Sequence, residues 1–502
     1  MAKNTRKWIN PILKLLPDNH IDRIALLFTF FVFILYVSTM SMSLDDEDCA
    51  HFALGLNDYD LQKHQPHVPG FPVYMAMGMA VNFFIQNPLL SLTFLSALFG
   101  ALGVLVFYWL AKHATGRTTG LAAAMVLAFT PLYWLNSLKA MTDMFGLFFV
   151  LLALFFLYRY MEGSNGRDLL IGALIGGLST GVRIHSFFIL LPVLLFVLAT
   201  VGKDKSEKNG FKSIMIFFLG IALWLLPVMM VTGAPEYMDC AQKQFNYRIG
   251  REDLSILGVD NGMGFHGERF GEYTTNFVYA GYGINLWDND MVGYLLVLFI
   301  VGFIYFSLCK IKGIRDKRTL LFLLLSVIIY LPVIYILLPA FNPRYLLILT
   351  PLLSLLFAKT VVESKSLDNV KKSVIIIVFI GLLSANSIPA AIELHTTPSA
   401  PVQLAEFIQY NHTGSVVASN MWLFKFFDYY GVDAKRLVSF NCNKIVDALS
   451  ENQTVFGMVT PENCNNVVIG KTHLFFRNQM LHMKRHSLVL HEYKLARLAE
   501  KP

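Results

Sequence analysis

Charged residues are scarce in this chain. Asp, Glu, Lys and Arg make up 15% of its 502 residues, where soluble domains usually contain about 25%. Apolar residues reach 55%, which argues against a set of soluble domains. The net charge of +7 does not indicate nucleic-acid binding, because the lysines and arginines lie in short segments between apolar runs. The sequence therefore predicts a polytopic membrane protein without a nucleic-acid partner.

The predicted membrane spans also lack ionisable residues. None contains Asp, Glu, Lys or Arg in its interior, and His185, near the end of one span, is the nearest exception. Pumps and ion-coupled transporters usually keep ionisable groups at mid-membrane, because the transport pathway needs them there. Their absence argues against both classes and favours chemistry at the outer membrane interface.

The arrangement of the spans follows from the positions of the positive charges. The first apolar run, residues 24–44, is longer than the core of a cleavable signal peptide, so we expect an uncleaved helix. If residues 70–86 do not cross the membrane, the head and loops before residue 393 place 22 Lys and Arg on one side and 8 on the other. This predicts eleven spans, one juxtamembrane or re-entrant helix and a cytoplasmic amino terminus. The remaining apolar runs are 89–110, 119–136, 144–157, 169–182, 184–200, 213–232, 291–308, 319–338, 345–358 and 374–392.

The last 110 residues differ from the rest of the chain. Residues 393–502 contain no run long enough to cross a membrane, and β-rich and helical stretches alternate in them. The predicted fold class is thus an all-α polytopic membrane domain, residues 1–392 with outer loops 45–69 and 233–290, followed by a small extracytoplasmic α/β domain. The predicted strands are 415–419, 437–440, 454–460 and 467–470, and the predicted helices are 401–410 and 444–449. The localisation predicted is a multi-pass protein of the inner or plasma membrane.

Cysteines are few. Of the five, Cys442 and Cys464 share the predicted exported domain, where a disulfide is permitted, although two unpaired thiols are equally compatible with the spacing. No metal-type cysteine spacing occurs, and no metal site is predicted.

Four consecutive acids follow the first span. Asp45, Asp46, Glu47 and Asp48 lie next to the hydrocarbon, where such a run is costly unless it binds a cation or acts as a base. One interpretation is a solvated loop that only adds negative charge to the outer side. The functional interpretation is a carboxylate that removes a proton from an acceptor hydroxyl or amine.

A histidine- and proline-rich segment follows in the same outer loop. His64 and His67 lie in the sequence His-Gln-Pro-His-Val-Pro-Gly-Phe-Pro, whose three prolines and one glycine exclude regular helix. The segment predicts an ordered turn that presents two imidazoles. Alternatively, it is only a rigid start for the next helix.

Three cations lie at outer helix ends, against the general charge bias. They are Lys139, near Asp143 in sequence, Arg183 and Arg344, which stands in the sequence Asn-Pro-Arg-Tyr before Tyr345. A single boundary arginine is usually an interfacial anchor. Arginine also suits phosphate, because its guanidinium donates two parallel hydrogen bonds and stays charged in a poorly hydrated site.

Together these motifs resemble the GT-C glycosyltransferases, in particular the branch of ArnT and the protein O-mannosyltransferases. An acidic pair, Asp46-Glu47, opens the first outer loop. A Pro-Gly turn then precedes a juxtamembrane helix, Asp143 begins the fourth span, and a Pro-Arg-Tyr sequence with a later proline, Pro351, opens a late span. The resemblance covers roughly residues 20–360.

The resemblance implies a membrane glycosyltransferase that uses a polyprenyl-phosphate-linked sugar donor. Asp46 is the implied base, with Asp45 as the alternative if the register shifts by one residue, and the acceptor is exported. Membrane lipid surrounds the donor's tail. Some GT-C enzymes use a divalent metal at the acidic motif, whereas this branch generally requires no cofactor. A lipid flippase or polysaccharide-export subunit, or a GT-C-like acyl or phospho-group transferase, remains as an alternative.

Overall fold

The computed structural model describes most of the chain. The described residues are 19–201, 203–251, 254–257, 263–283, 317–438, 440–460, 464, 466–477 and 486–496. The predicted span at 291–308, Cys309 and most of the basic amino-terminal head lie outside them.

The described part of the membrane domain is helical. Its elements are α1 (His20–Ser38), α2 (Glu47–Gly55), α3 (Pro72–Ile85), α4 (Pro88–Thr115), α5 (Arg117–Phe129), α6 (Pro131–Asn136), α7 (Asp143–Gly163), α8 (Gly166–Ser179), α9 (Phe187–Thr200), α10 (Lys203–Thr232), α11 (Ala234–Ile249), α12 (Met263–Tyr282), α13 (Lys317–Ile328), α14 (Tyr330–Leu337), α15 (Leu349–Val362) and α16 (Asn369–Thr396). Short 3₁₀ turns at Ile184–Ser186 and Pro343–Leu346 precede α9 and α15.

The helix α4 lies at the centre of this domain. It packs along α1, α5 and α7, while α8 packs between α7 and α10. Two buried tyrosines tie the helices together, because Tyr36 donates to the Ala128 carbonyl and Tyr133 donates to the Gly100 carbonyl, both at 2.7 Å. These bonds satisfy phenol groups that would be costly to bury unpaired in an apolar interior.

Small residues let α8 and α10 approach closely. A Cβ on Gly177 would lie 2.8 Å from the Cα of Gly220, so neither position has room for a side chain. Contacts of this kind between small residues are a common way for membrane helices to pack, because backbone proximity replaces a hydrophobic driving force.

The lengths of the helices agree with a membrane domain. Among the described residues, five stretches are long and apolar enough to cross a bilayer, namely His20–Ser38, Pro88–Thr115, Asp143–Gly163, Asn209–Thr232 and Asn369–Asn411. Five shorter apolar helices accompany them. One of these, α3, corresponds to the predicted non-crossing segment, and its 14 residues span only about 21 Å, less than the roughly 30 Å of the hydrocarbon.

The first helix ends earlier than its apolar run. Helix α1 stops at Ser38, and the following segment is not helical and buries Ser41, Ser43, Leu44 and Asp45. The reason is that polar groups of this segment have partners elsewhere: Ser41 donates its amide to the Leu138 carbonyl, and the Leu44 carbonyl accepts from Ser399. The segment is therefore fixed to two other parts of the molecule.

A small mixed sheet forms the last part of the chain. Its elements are α17 (Ala400–Asn411), β1 (Val416–Ser419), α18 (Met421–Tyr430), β2 (Lys435–Val438), α19 (Cys442–Ser450), β3 (Val455–Gly457), β4 (Val467–Phe476) and β5 (Ser487–Leu495). The strand order is β2-β1-β3-β5-β4, with β1 parallel to β2 and β3, and β5 antiparallel to β3 and β4. This agrees with the predicted α/β character.

Two elements of this domain did not follow from the sequence. Helix α18 buries Phe424 and Phe427 on one face, but its dense aromatic run hides the helical period. Strand β5 pairs along β4, a contact that no local pattern indicates. Cys442 and Cys464 form a disulfide with their Cα atoms 5.7 Å apart, so the two cysteines are paired rather than free.

The orientation of the membrane domain gives a first testable prediction. The charge bias places residue 205 in the cytoplasm and the sheet domain on the opposite side. Reporter fusions after Lys205 and after Pro401 are therefore expected to report opposite sides of the membrane. Reporters on the same side would contradict the eleven-span arrangement.

Candidate active site

A large cavity lies where the first outer loop meets three other segments. Its volume is about 1760 Å³. The first outer loop, helix α11, the segment before α15 and helix α18 of the sheet domain contribute its walls. Of the predicted site residues, the cavity is lined by Asp46, Glu47, His64, His67, Arg344 and Tyr345.

The short helix α2 places the acids of the first outer loop. Asp46 occupies the position before its first turn with extended backbone, and its side chain does not cap the helix. Asp48 and His51 lie three residues apart, so they share one helix face. Glu47 lies beside this face, with its Oε1 3.9 Å from Nε2 of His51.

Arg344 joins the two aspartates. Its Nη2 lies 2.7 Å from Oδ2 of Asp48, and its Nη1 lies 3.5 Å from Oδ2 of Asp46. The guanidinium is 11% exposed, so solvent screens these contacts little. Pro343 opens the 3₁₀ turn that carries Arg344 to this position. The described contacts thus connect Arg344 with the first outer loop.

The proline-rich turn places His67 against the same aspartate. His67 Nδ1 lies 3.6 Å from Oδ1 of Asp48, and its ring packs on Phe52 and Phe71. Gly70, at φ +90°, supplies the left-handed conformation that the turn requires. The peptide bonds before Pro66 and Pro69 are cis.

Burial sets the charges of this cluster. It lowers the pKa of His67 to about 4 and that of His51 to about 3, so both imidazoles are neutral at neutral pH. Burial raises the pKa of Asp48, but His67 and Arg344 outweigh this effect and hold it below its usual value. His67 is neutral at neutral pH, and the charge of Arg344 still favours the ionised form of Asp48 there.

A second ion pair lies beside Tyr345. Arg183 Nη1 contacts Oδ1 of Asp143, and Asp143 is almost completely buried in the first turn of α7. Negative charge is favourable there, because the helix dipole is positive at its amino end. The guanidinium carbons of Arg183 and Arg344 both lie 5.5 Å from the ring centre of Tyr345, so this tyrosine stands between two cations.

Asp45 and Lys139 lie apart from the cavity. The carboxylate of Asp45 pairs with Arg477, and both side chains are at most 2% exposed. Burial lowers the pKa of Lys139, with Asp45 opposing and Arg477 reinforcing the effect, so Lys139 belongs to the same buried group. Its sequence neighbour Asp143 instead pairs with Arg183.

Three side chains of the cluster can hold a metal ion. One ligand atom each of Asp48, His51 and His67 lies within 4.8 Å of the others. Two neutral imidazoles and one carboxylate are a donor set that suits Zn²⁺. Arg344, already 2.7 Å from Asp48, opposes a cation at this position electrostatically.

The sequence did not single out His51, Trp422 and Lys425, and it identified Asp48 only as a member of the acidic run. Asp48 and His51 face the cavity together, and their three-residue spacing on a short helix was the signal that could have identified them. Trp422 and Lys425 of α18 also line the cavity. No local sequence pattern indicates these two residues, because only the tertiary fold brings α18 to the cavity.

The structure and the site together define a class of protein. The residues 65–231 match the family model described as dolichyl-phosphate-mannose-protein mannosyltransferase. This match bears out the resemblance to the GT-C glycosyltransferases of the ArnT and protein O-mannosyltransferase branch. The match therefore indicates that the chain is an enzyme of the glycosyltransferase kind.

Solved structures show the same fold. ArnT from Cupriavidus metallidurans bound to undecaprenyl phosphate aligns with a TM-score of 0.54 at 11% identity, over 95% of this chain and 99% of that one. Its apo state aligns with a TM-score of 0.57 at 11% identity, over 93% and 97%. The Archaeoglobus fulgidus oligosaccharyltransferase in complex with Zn and sulfate aligns with a TM-score of 0.51 at 14% identity, over 83% of this chain and 62% of that one. No curated protein matches the sequence.

Proposed function

We propose that this protein transfers a sugar from a polyprenyl-phosphate donor to an exported acceptor, which is a lipid, a glycan or a protein. The observation that carries the proposal is the joining of Asp46 and Asp48 by one largely buried arginine, Arg344, in the wall of a cavity of about 1760 Å³. A carboxylate and a guanidinium side by side supply a base and a phosphate ligand in one place. The undecaprenyl phosphate bound by the similar ArnT supports a lipid-linked donor.

Asp46 is the proposed base. It precedes α2 and lines the cavity, where its carboxylate lies 3.5 Å from Nη1 of Arg344. The carboxylate accepts the proton of an acceptor hydroxyl or amine as that group attacks the anomeric carbon. The bond from this carbon to the phosphate oxygen breaks, and polyprenyl phosphate leaves with the electron pair. Attack opposite the phosphate inverts the anomeric carbon.

Arg344 is the proposed ligand of the donor phosphate. It presents two terminal nitrogens toward oxygen acceptors in a poorly hydrated site, and the aspartates occupy them in this structure. A phosphate oxygen and Asp46 then compete for Nη1, so donor binding frees the carboxylate for the acceptor. Arg183 and Lys139 are weaker candidates, because neither of them is among the residues that line the cavity.

The cavity also provides positions for both substrates. The first outer loop and Arg344 form one side, and α18 of the sheet domain, with Trp422 and Lys425, forms another. We place the donor headgroup at Arg344 and the acceptor toward α18. In the predicted orientation this cavity lies at the outer membrane interface, where the donor's tail remains among lipids.

A transfer assay tests the proposal against transport. Membranes that contain the protein receive a polyprenyl-phosphate donor with a labelled sugar, and mass spectrometry follows the lipid. We expect label to leave the donor as polyprenyl phosphate accumulates, and neither change with the Asp46→Asn variant. Label that stays on the lipid but changes leaflet would contradict the proposal and indicate a flippase.

A further inference from the structure

The sheet domain is bound, through backbone and side-chain groups, to the two residues that precede the first outer loop. Ser399 donates its amide to Oγ of Ser43 at 3.2 Å and its hydroxyl to the Leu44 carbonyl at 2.5 Å. The hydroxyl of Tyr430 lies 3.4 Å from the Leu44 amide, and Phe426 packs in the same apolar cluster as Leu44. These contacts all fall on the residues immediately before the proposed base.

A buried ion pair completes this connection. Arg477, directly after β4, donates to Oδ1 of Asp45 and, at 3.2 Å, to the Thr397 carbonyl. The exposed fractions are 2% for Arg477 and 1% for Asp45. Removing one partner of such a pair takes the hydrogen-bonded counter-ion away from a buried charge, which is strongly unfavourable. The position of Asp45, and with it the start of α2, therefore depends on a residue of the sheet domain.

We infer that Arg477 is a positioning residue for sugar transfer, which acts through Asp45. Asp45 adjoins Asp46 in the chain, and Asp46 is the last residue before α2. With Asp45 held by Arg477, the carboxylate of Asp46 is kept 3.5 Å from Arg344 at the cavity wall. The inference rests on the proposed function, and it makes the sheet domain part of the catalytic apparatus rather than an appended module.

The expected effect is a loss of turnover without a loss of donor binding. Displacement of a reacting group by about 1 Å can reduce a rate about 100-fold, so Arg477→Met is expected to lower kcat about 10- to 100-fold. The donor KM should change less than about twofold, because Arg344 keeps its place. Arg477→Lys, which retains the charge, should recover part of kcat.

The full-length protein in nanodiscs allows three measurements. Steady-state kinetics are measured for Arg477→Met, Asp45→Asn and the double variant, which should lose no more than the more impaired single variant, since both changes remove one interaction. Hydrogen exchange should become faster at the amides of the first turn of α2 and stay unchanged in α7. Lys494→Met is the matched control, because Lys494 forms a more exposed ion pair with Glu492 within the sheet domain.

Two results would overturn the inference. One is a folded Arg477→Met variant with unchanged kcat, and the other is unchanged hydrogen exchange at the start of α2. If Arg477→Met fails to fold, Arg477→Lys and Asp45→Asn supply the same comparisons. If the wild-type protein transfers no sugar, the proposed function fails, while the exchange measurement still decides whether Arg477 holds α2.

Discussion

The Asp46→Asn variant is expected to lose about 10²–10⁴-fold in kcat, the usual contribution of general base catalysis. Asparagine retains the size of the side chain but cannot accept the acceptor's proton. The donor KM is expected to change little, because Arg344 keeps Asp48 as a partner at 2.7 Å. The measurement is donor turnover by purified protein in nanodiscs.

The control for this variant is Asp58→Asn. Asp58 belongs to the same outer loop but is 58% exposed and pairs with Lys63, so its replacement should leave kcat unchanged. Activity in Asp46→Asn together with inactivity in Asp48→Asn would move the base to Asp48. If replacing each of the four acids in turn leaves turnover intact, the proposal of a carboxylate base in this loop is wrong.

The Arg344→Ala variant is expected to lower kcat/KM about 10²–10³-fold. This is the usual effect of removing one preorganised hydrogen-bond donor that stabilises a developing negative charge. Two effects combine in it, because the guanidinium contacts the proposed phosphate site and also keeps Asp48 ionised. Arg344→Lys should lose about tenfold, since a lysine keeps the charge but not the two parallel hydrogen bonds. Donor titrations measure both variants.

A matched arginine separates this effect from general destabilisation. Arg159, in α7, pairs with Asp168 at 3.3 Å and is remote in sequence from every proposed site residue. Arg159→Ala should therefore leave the donor titration unchanged. Unaltered donor dependence in Arg344→Ala would contradict the proposed phosphate site and move it to Arg183 or Lys139.

The sequence predicted much of the membrane domain, because long apolar runs and charge bias are local properties. The described helices α4, α7 and α16 lie on predicted spans, and α3 on the predicted non-crossing segment. The end of helix α1 at Ser38 was not predictable. The segment after it is hydrogen-bonded to Leu138 and Ser399, which are distant in the chain. The predicted span at 291–308 lies outside the described residues and stays a prediction.

The candidate site was only partly predictable for the same reason. Asp46, His67 and Arg344 were predicted from short motifs, and the structure brings them together around Asp48. The sequence did not distinguish Asp45 from Asp46, because the two residues have the same side chain and nearly the same sequence neighbours. Only the tertiary contact with Arg477 separates them, and that residue lies more than 400 positions further along the chain.

The most direct test of the central claim is the identity of the lipid that the protein holds. The wild-type protein and Arg344→Ala are purified in mild detergent, and their bound lipids are extracted and identified by mass spectrometry. The account predicts a polyprenyl phosphate, with or without its sugar, bound to the wild-type protein and depleted in Arg344→Ala. Ordinary phospholipid alone in both samples, even after addition of a polyprenyl-phosphate donor, would contradict it.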